Sequence, residues 1–334
     1  MENPQTKLTD ISIALATYNG ERYIGEQLDS IASQTRLPDE LVISDDASTD
    51  STLEIVSKFA RRVPFPVRVH INPERLGSTR NFEVAIRACK GDIIFLCDQD
   101  DVWYPEKIAL IEECFVNNIE VGAVFTDADV VNQSLDLLEY SLWERLKISR
   151  QELTQIATHE GAFKILLNRN IVSGTTMAFR ANYLKFILPM PKEWVHDAWI
   201  ALVISISSGL IALPTPLVAY RQHNSNQIGA PPLPNNNISK IRGKSFHSIH
   251  NPKVKAYQLV LDYLIESCAN NIPEAKNKIL QVKDELAFLR ARSSLPSSHW
   301  KRVPIVLREL ISFRYHRYAK GTKHVVKDLL RKVR

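Results

Sequence analysis

The chain has 334 residues, 24% charged and 45% hydrophobic, a globular balance that excludes a mainly disordered protein and leaves room for one large domain or a domain with an appendage. Its net charge of +5 is uneven: residues 301–334 hold eleven Lys/Arg against Glu309 and Asp328, a net +9, so residues 1–300 carry −4. The basic character belongs to the tail and not to the body.

The N-terminal "MENPQTKLTD" has no apolar core of a secretory signal. "ISIALATYN" (11–19) reads as a strand, and "ERYIGEQLDSIASQ" as a helix with Ile24, Leu28 and Ile31 at i, i+4, i+7. "ELVISDD" (40–46) is a second strand, and Ser48, Thr49, Asp50 and Ser51 are candidate caps for the helix that follows. "VRVHIN" (67–72) is a third strand. A helix from about Thr79 puts Phe82, Ala85, Ile86 and Cys89 on one face, and "GDIIFLCDQDD" (91–101) is the fourth strand.

Strands separated by helices imply an α/β fold with a mostly parallel sheet. Ligands of such sheets bind beyond the carboxyl ends of the strands. Three polar clusters fall there: Thr17, Tyr18 and Asn19; Asp45 and Asp46; and Asp98, Asp100 and Asp101. Three carboxylates so close repel one another, and a divalent cation would offset them. The alternative is an acidic surface turn ending in a helix cap. Neither G-x-G-x-x-G after the first strand nor G-x-x-x-x-G-K-[ST] occurs, so a nucleotide here would need other means of neutralising its phosphates.

Further along, "VGAVFTDADVV" and "VSGTTMAFR" are expected strands, "HDAWIALVIS" opens a helix, and "LIAL" and "LVAYRQH" are two further strands. The apolar run 198–213 is shorter than the ~18 residues of a membrane-spanning helix. Residues 229–250 read as a linker, rich in Asn, Pro and Ser, and 251–334 as a helical extension ending in the basic tail. That tail interleaves Val303, Ile305, Val306, Leu310, Ile311 and Phe313 with Lys and Arg. It suits an anionic membrane surface, a helix docked on the acidic body, or a nucleic-acid patch, although no nucleic-acid motif accompanies it. Cys89, Cys97, Cys114 and Cys268 include no C-x-x-C pair and are expected to be reduced, as in the cytoplasm.

The blocks "ALATYNGERYIGEQLDSIASQT", "ELVISDDASTDST", "GDIIFLCDQDDVWYPEKI" and "HDAWIALV…PLVAYRQH" together resemble family 2 glycosyltransferases of GT-A fold, over residues 9–228. The "DQDDVW" and "HDAWIAL…YRQH" variants look closest to bacterial rhamnosyltransferase-like enzymes of surface polysaccharide synthesis, as does the basic tail. The resemblance implies a GT-A domain over 1–228, with a nucleotide-binding half (9–120) and an acceptor half (121–228). It implies that Thr17, Tyr18 and Asn19 meet the nucleotide, that Asp46 with Asp45 contacts a uracil or thymine, and that Arg80 helps with base or phosphate. Asp98 and Asp100 match the D-x-D motif, with Asp101 directly after, and would hold Mg²⁺ or Mn²⁺ against the diphosphate. His223 falls where some GT-A enzymes place a further metal ligand, and Asp197 where the family places its catalytic base, here in a His-Asp pair in place of the common Glu-Asp. The implied donor is a dTDP- or UDP-sugar, first of all dTDP-rhamnose, and the acceptor a saccharide or lipid-linked glycan at the inner face of the plasma membrane. The processive-synthase pattern Q-x-x-R-W is absent.

The chemistry needs these residue types. Expelling a nucleoside diphosphate builds charge that a carboxylate-held metal stabilises, and the attacking hydroxyl must lose a proton to a base. Each residue also has a structural reading. Asp197 could be a helix N-cap, His196 a packing residue, His223 a satisfied structural histidine. Trp103 and Trp199 read as core filling before sugar stacking, and residues 173–176 as plain strand before acceptor pocket. A sugar-phosphate nucleotidyltransferase would need a G-x-G-x-R start that is missing; a non-catalytic nucleotide- or glycan-binding protein of the same fold is the other alternative.

Overall fold

The computed structural model describes residues 9–223, 246–269, 273–319 and 321–330. The chain divides into two compact units, 1–233 and 234–334.

In the first unit, β1 (Ile11–Thr17), β2 (Glu40–Asp45), β3 (Val67–Ile71) and β4 (Ile93–Asp98) alternate with α1 (Ile24–Ala32), α2 (Thr52–Ala60) and α3 (Ser78–Ala88). The strands pair in parallel, β1 with β2 and β4, and β2 with β3. β1, β2 and β4 are covered on both faces, which is why they read as unbroken apolar runs and not as alternating ones. Ile24, Leu28 and Ile31 bury one stripe of α1 against this sheet, as their spacing predicts. Helix α3 ends before Cys89, which turns to extended backbone, so that cysteine is not on the helix face expected for it.

After β4 the chain turns sharply through residues 99–101 into the short β5 (Val102–Trp103) and α4 (Lys107–Asn117). The second half contributes β6 (Ala123–Val131), β7 (Leu137–Ser141), α5 (Leu142–Leu146), α6 (Arg150–Gln155), α7 (His159–Asn168), β8 (Met177–Arg180), α8 (Leu184–Ile187), α9 (His196–Ile204) and β9 (Leu210–Arg221). Among the described residues the sheet runs β3-β2-β1-β4-β8-β6-β9-β5, with β7 paired to β6. β8 is antiparallel to both β4 and β6, so the sheet is mixed beyond its parallel first half.

Two expected strands differ. Residues 174–176 form a 3₁₀ turn, and only 177–180 are strand. "LIAL" and "LVAYRQH" are parts of one strand, β9, broken in register where Thr126 faces Leu213 but Asp127 faces Pro216. The extra residues form a bulge around Pro214 and Pro216, whose missing N–H groups the ladder does not need there.

The second unit holds α10 (Phe246–Ala269), α11 (Ala275–Ser293), α12 (His299–Ile311), α13 (Arg314–Tyr318) and α14 (Thr322–Leu330). Of the expected linker, residues 229–245 lie outside the described residues and 246–250 open α10. Phe288, Leu295, Val306, Tyr315 and Val325 form a small core. Beside it Asp328 is buried, accepting hydrogen bonds from Arg292 Nε (2.7 Å) and Tyr315 Oη (2.9 Å), so its charge is paired and hydrogen-bonded. No helix of the described residues is long and apolar enough to cross a membrane. Cys89, Cys97 and Cys114 are free thiols; the side chain of Cys268 lies outside the described residues.

Candidate active site

A cavity of about 520 Å³ opens at the carboxyl ends of β1, β2 and β4. From the first half of the sheet it is lined by Thr17, Tyr18, Asp46, Arg75, Gly77 and Asn81, and from the second by Asn170, Gly174, His196 and Asp197. Asp98, Gln99, Asp100 and Asp101 lie between the two.

The acidic turn is held from several sides. Gln99 acts as a piece of backbone: its Oε1 accepts from Tyr18 N (2.8 Å) and its Nε2 donates to Tyr18 O (3.0 Å), tying the turn to the end of β1. Arg221, buried at the end of β9, donates through Nε to Asp100 O (2.7 Å) and through its backbone N–H to Asp101 Oδ1 (2.9 Å), and pairs with Glu26. The other Asp101 oxygen, Oδ2, is buried without a well-formed hydrogen bond, beside the Thr175 hydroxyl. Lys107, wholly buried at the start of α4, donates to Thr175 O and sits 3.5 Å from the Trp103 ring centre. Burial pushes this amine down to about 7, although Cys97, Asp101 and Asp98 favour its charge.

The crowding inferred from the sequence acts together with burial on the carboxyls of this turn. Burial, then the charges of Asp101, Asp100 and Asp197, push the Asp98 carboxyl well above the usual carboxylate range. Burial and Asp100 raise Asp101 as well. Asp100 faces outward to His223, whose Nε2 lies 2.8 Å from its Oδ2 while the imidazole stacks on the Tyr23 ring at 4.6 Å.

On the first-half side, Asp45 is fully buried; its oxygens accept from Thr17 Oγ1 (2.7 Å), Ser48 Oγ (2.6 Å) and Ser48 N (2.8 Å). It braces the end of β1 and is not among the lining residues. Asp46 does line the cavity, and its oxygens accept from Leu76 N (2.7 Å) and Gly77 N (2.8 Å), fixing the loop before α3. Gly77 sits at φ +84°, a backbone that favours glycine. That loop carries Arg75, whose guanidinium lies 4.0 Å from the centre of the Tyr18 ring. Arg80, the cation expected here, pairs with Glu83 (2.6 Å) and lines separate grooves with Leu76. Asn19 is not a lining residue either; at φ +45° it accepts from Thr49 N (2.9 Å) and joins the β1 and β2 loops.

On the opposite side, Asp197 occupies the first turn of α9. Its Oδ1 accepts from Asn170 Nδ2 (3.1 Å) and Ala198 N (2.5 Å), and its Oδ2 from Gly174 N (2.9 Å). Burial pushes the carboxyl up to about 6 despite these three donors. His196 is stacked on Phe82 with ring centres 3.7 Å apart, and burial pushes it down to about 3, so it stays neutral. Trp103 and Trp199 are buried; Trp199 donates to Ile187 O (2.9 Å), which places both in the core and not on a sugar platform.

Sequence reasoning did not find Arg75, Lys107, Asn170 or Arg221, and treated Gln99 only as part of a motif. Lys107 and Arg221 left a signal, each being a cation set inside otherwise apolar or motif-bearing stretches. Asn170 left none.

No ready-made cage of three or more His, Cys, Asp or Glu side chains occurs among the described residues. A hard divalent cation that takes its remaining ligands from substrate phosphates needs only one or two protein carboxylates. The Asp100 carboxylate at the cavity, with His223 beside it, makes such a partial donor set, so the residues present fit Mg²⁺ or Mn²⁺.

The model of the family described as glycosyl transferase family 2 matches residues 12–188, more than half of the chain. The match stops short of Asp197, whose placement in the cavity therefore stands on geometry alone. An uncharacterised protein of Mycobacterium tuberculosis is 29% identical over 64% of this chain and 59% of its own length, so the chain spans under two thirds of that relative. The dTDP-rhamnosyl transferase RfbG of Shigella flexneri is 29% identical, over 65% of this chain and 74% of that protein. Among solved structures, TarS 1–349 of Staphylococcus aureus in complex with UDP superposes with TM-score 0.54 at 19% identity, over 83% of this chain and 69% of that one. A mannosyltransferase of Pyrobaculum calidifontis in complex with GDP-Man and Mn²⁺ gives 0.50 at 20% identity, over 97% and 88%. The fold is GT-A, and the chain belongs to glycosyl transferase family 2.

Proposed function

We propose that this chain is an inverting, metal-dependent glycosyltransferase. It moves a sugar from a nucleoside-diphosphate donor to a hydroxyl of a saccharide or lipid-linked glycan in surface polysaccharide synthesis. The observation that carries the reading is convergence: the acidic turn after β4 and the Asp197 carboxylate, far apart in sequence, line one cavity of a size suited to a small-molecule ligand. The likeness to a dTDP-rhamnosyl transferase supports dTDP-rhamnose as donor.

Tyr18, Arg75 and Asp46 bind the nucleoside, with Thr17 behind them held in place by Asp45. Asp98 meets the ribose and diphosphate, and Asp100, Asp101 and His223 hold Mg²⁺ or Mn²⁺. A metal held there would supply positive charge against the leaving diphosphate. Asp197 takes the proton from the acceptor hydroxyl at its Oδ atoms. Its raised pKa makes it a stronger base than an exposed aspartate while leaving it mostly ionised at pH 7. One base and no enzyme nucleophile give inversion at the anomeric carbon. The basic C-terminal unit supports an anionic membrane surface as a further partner, which would place the protein on the inner face of the plasma membrane.

Calorimetric titration with UDP and dTDP, with and without Mn²⁺, combined with a transfer assay, tests this. Asp197→Asn is expected to keep donor affinity and lose roughly 10²–10⁴-fold in transfer. Asp100→Ala is expected to lose the metal-dependent part of nucleotide binding. Nucleotide affinity indifferent to metal and to Asp100→Ala, or transfer undiminished in Asp197→Asn, would refute the proposal.

A further inference from the structure

Helix α12 packs Val306, with Ile305 and Leu310, on the small core of its unit and carries a second apolar stripe that this core does not use. Its inward face carries Arg302 and Glu309, each 1% exposed, beside Val306. Its outward face carries Trp300 (87% exposed), Leu307 (47%) and Ile311 (75%), spaced i, i+7, i+11 along one stripe, with Phe313 (65%) directly after the helix.

The inward charges are satisfied, so the helix is locked in this rotation. Arg302 donates to the carbonyls of Pro296 (2.6 Å), Ser297 (2.9 Å) and Asp328 (3.1 Å). Glu309 accepts from Arg308 Nε (3.1 Å) and Arg314 Nη1 (3.0 Å). Turning the apolar stripe inward would break the four bonds to Pro296, Ser297, Asp328 and Arg314, which lie outside the helix.

Within residues 301–334 the exposed charge has one sign, and the half-buried Asp284 of α11 is paired with Arg314 and Arg317. Glu309 and Asp328 are the acidic residues from 301 to 334, and both are buried. Lys301, Arg308, Arg317, Lys323 and Lys327 are exposed. Helix α14 repeats the pattern, with exposed Lys323, Val326, Lys327 and Leu330 at i, i+3, i+4, i+7. Bulky apolar side chains including a tryptophan, set among cations with no exposed acid in residues 301–334, match the chemistry of an anionic bilayer interface. An acidic protein partner would use the cations but leave the stripe unexplained.

We infer that the outward stripe of α12, Trp300, Leu307 and Ile311 with Phe313, docks on an anionic lipid bilayer. The inference takes its partner from the proposed function but is independent of the transfer chemistry.

The test uses the full chain and vesicles of 70% phosphatidylcholine with 30% phosphatidylglycerol, against pure phosphatidylcholine, in a sedimentation assay. Binding is expected to the anionic vesicles alone, to weaken with salt, and to fall at least about tenfold in Leu307→Glu/Ile311→Glu. Brominated lipid should quench tryptophan fluorescence, and Trp300→Phe should remove that quenching, because Trp103, Trp143 and Trp199 are buried and Trp194 half-buried. Thermal melts and UDP titration check that the variants remain folded. Absent vesicle binding, undiminished binding by the double variant, or a wild-type dimer that the double variant abolishes without any vesicle binding would each overturn the inference. A wild-type protein that binds UDP but no vesicles overturns the docking inference alone. Vesicle binding retained by a protein that binds no nucleotide removes the transferase reading alone.

Discussion

Gly20→Ala tests the interlock between the end of β1 and the acidic turn. A Cβ at position 20 would lie 2.3 Å from Gln99 Oε1 and 2.6 Å from its Cδ, closer than atoms can approach. The Gln99 side chain is flexible at that end, so it would swing aside and give up both hydrogen bonds to Tyr18. At about 1 kcal/mol net for each neutral hydrogen bond, the loss is about 2 kcal/mol. Alanine recovers roughly 0.4–1 kcal/mol by restricting the unfolded chain, which leaves a net destabilisation of about 1–1.5 kcal/mol. With Gln99→Ala already in place there is nothing left to displace, and Gly20→Ala should then be neutral or slightly stabilising. Urea unfolding of the four proteins, followed by the buried tryptophans, should give a coupling of about 2 kcal/mol between positions 20 and 99. UDP affinity should fall in each single variant, because Tyr18 is no longer tied to the turn. An equal cost for Gly20→Ala with and without the Gln99 side chain would refute the interlock.

Three other outcomes follow from the same geometry. Asn170 donates to the ionised form of Asp197, so Asn170→Ala should raise the Asp197 pKa and shift the acid limb of the transfer rate from about 6 to higher pH, with more loss at pH 6 than at pH 8; an unmoved limb would contradict the assignment of the base. Gly174→Ala would set a Cβ 2.7 Å from His196 Nε2, and His196 cannot retreat from Phe82, so kcat should fall with donor affinity nearly unchanged; stability should drop by about 1–3 kcal/mol in thermal melts. Lys107→Met leaves the Thr175 carbonyl without its buried donor; with the amine lowered to about 7 and the Asp98 and Asp101 carboxyls raised, the change should cost about 1–3 kcal/mol in urea unfolding at pH 7, whereas a cost below about 1 kcal/mol would mean that the amine acts by packing alone.

Much of the first half was legible before any coordinates. Doubly covered strands must be continuously apolar, their helices must show a 3.6-residue stripe, and parallel pairing sends every strand end to one rim. Those rules place Thr17, Tyr18, Asp46 and the acidic turn around one cavity, as the structure does. They weaken beyond residue 170, where β8 runs antiparallel and β9 passes through two prolines, because a bulge suspends the pattern on which strand reading depends.

The sequence by itself determined the α/β alternation and the concentration of acidic side chains at one strand end, since both are written in local composition and periodicity, and its four motif blocks carried the resemblance to the family. Which polar residue does what was decided by the tertiary structure. Asp45 and Asp46 are neighbours in the chain, yet one braces β1 and the other lines the cavity, because successive side chains leave a strand end in opposite directions. Arg75 and Arg80 stand five positions apart, and the loop fixed by Asp46 brings the first to Tyr18 while α3 pairs the second with Glu83. In α12 the buried partners of Arg302 and Glu309 outweigh the pull of Trp300 and Ile311 toward a core. A buried charge needs its partners in three dimensions, and no one-dimensional pattern records where those partners are.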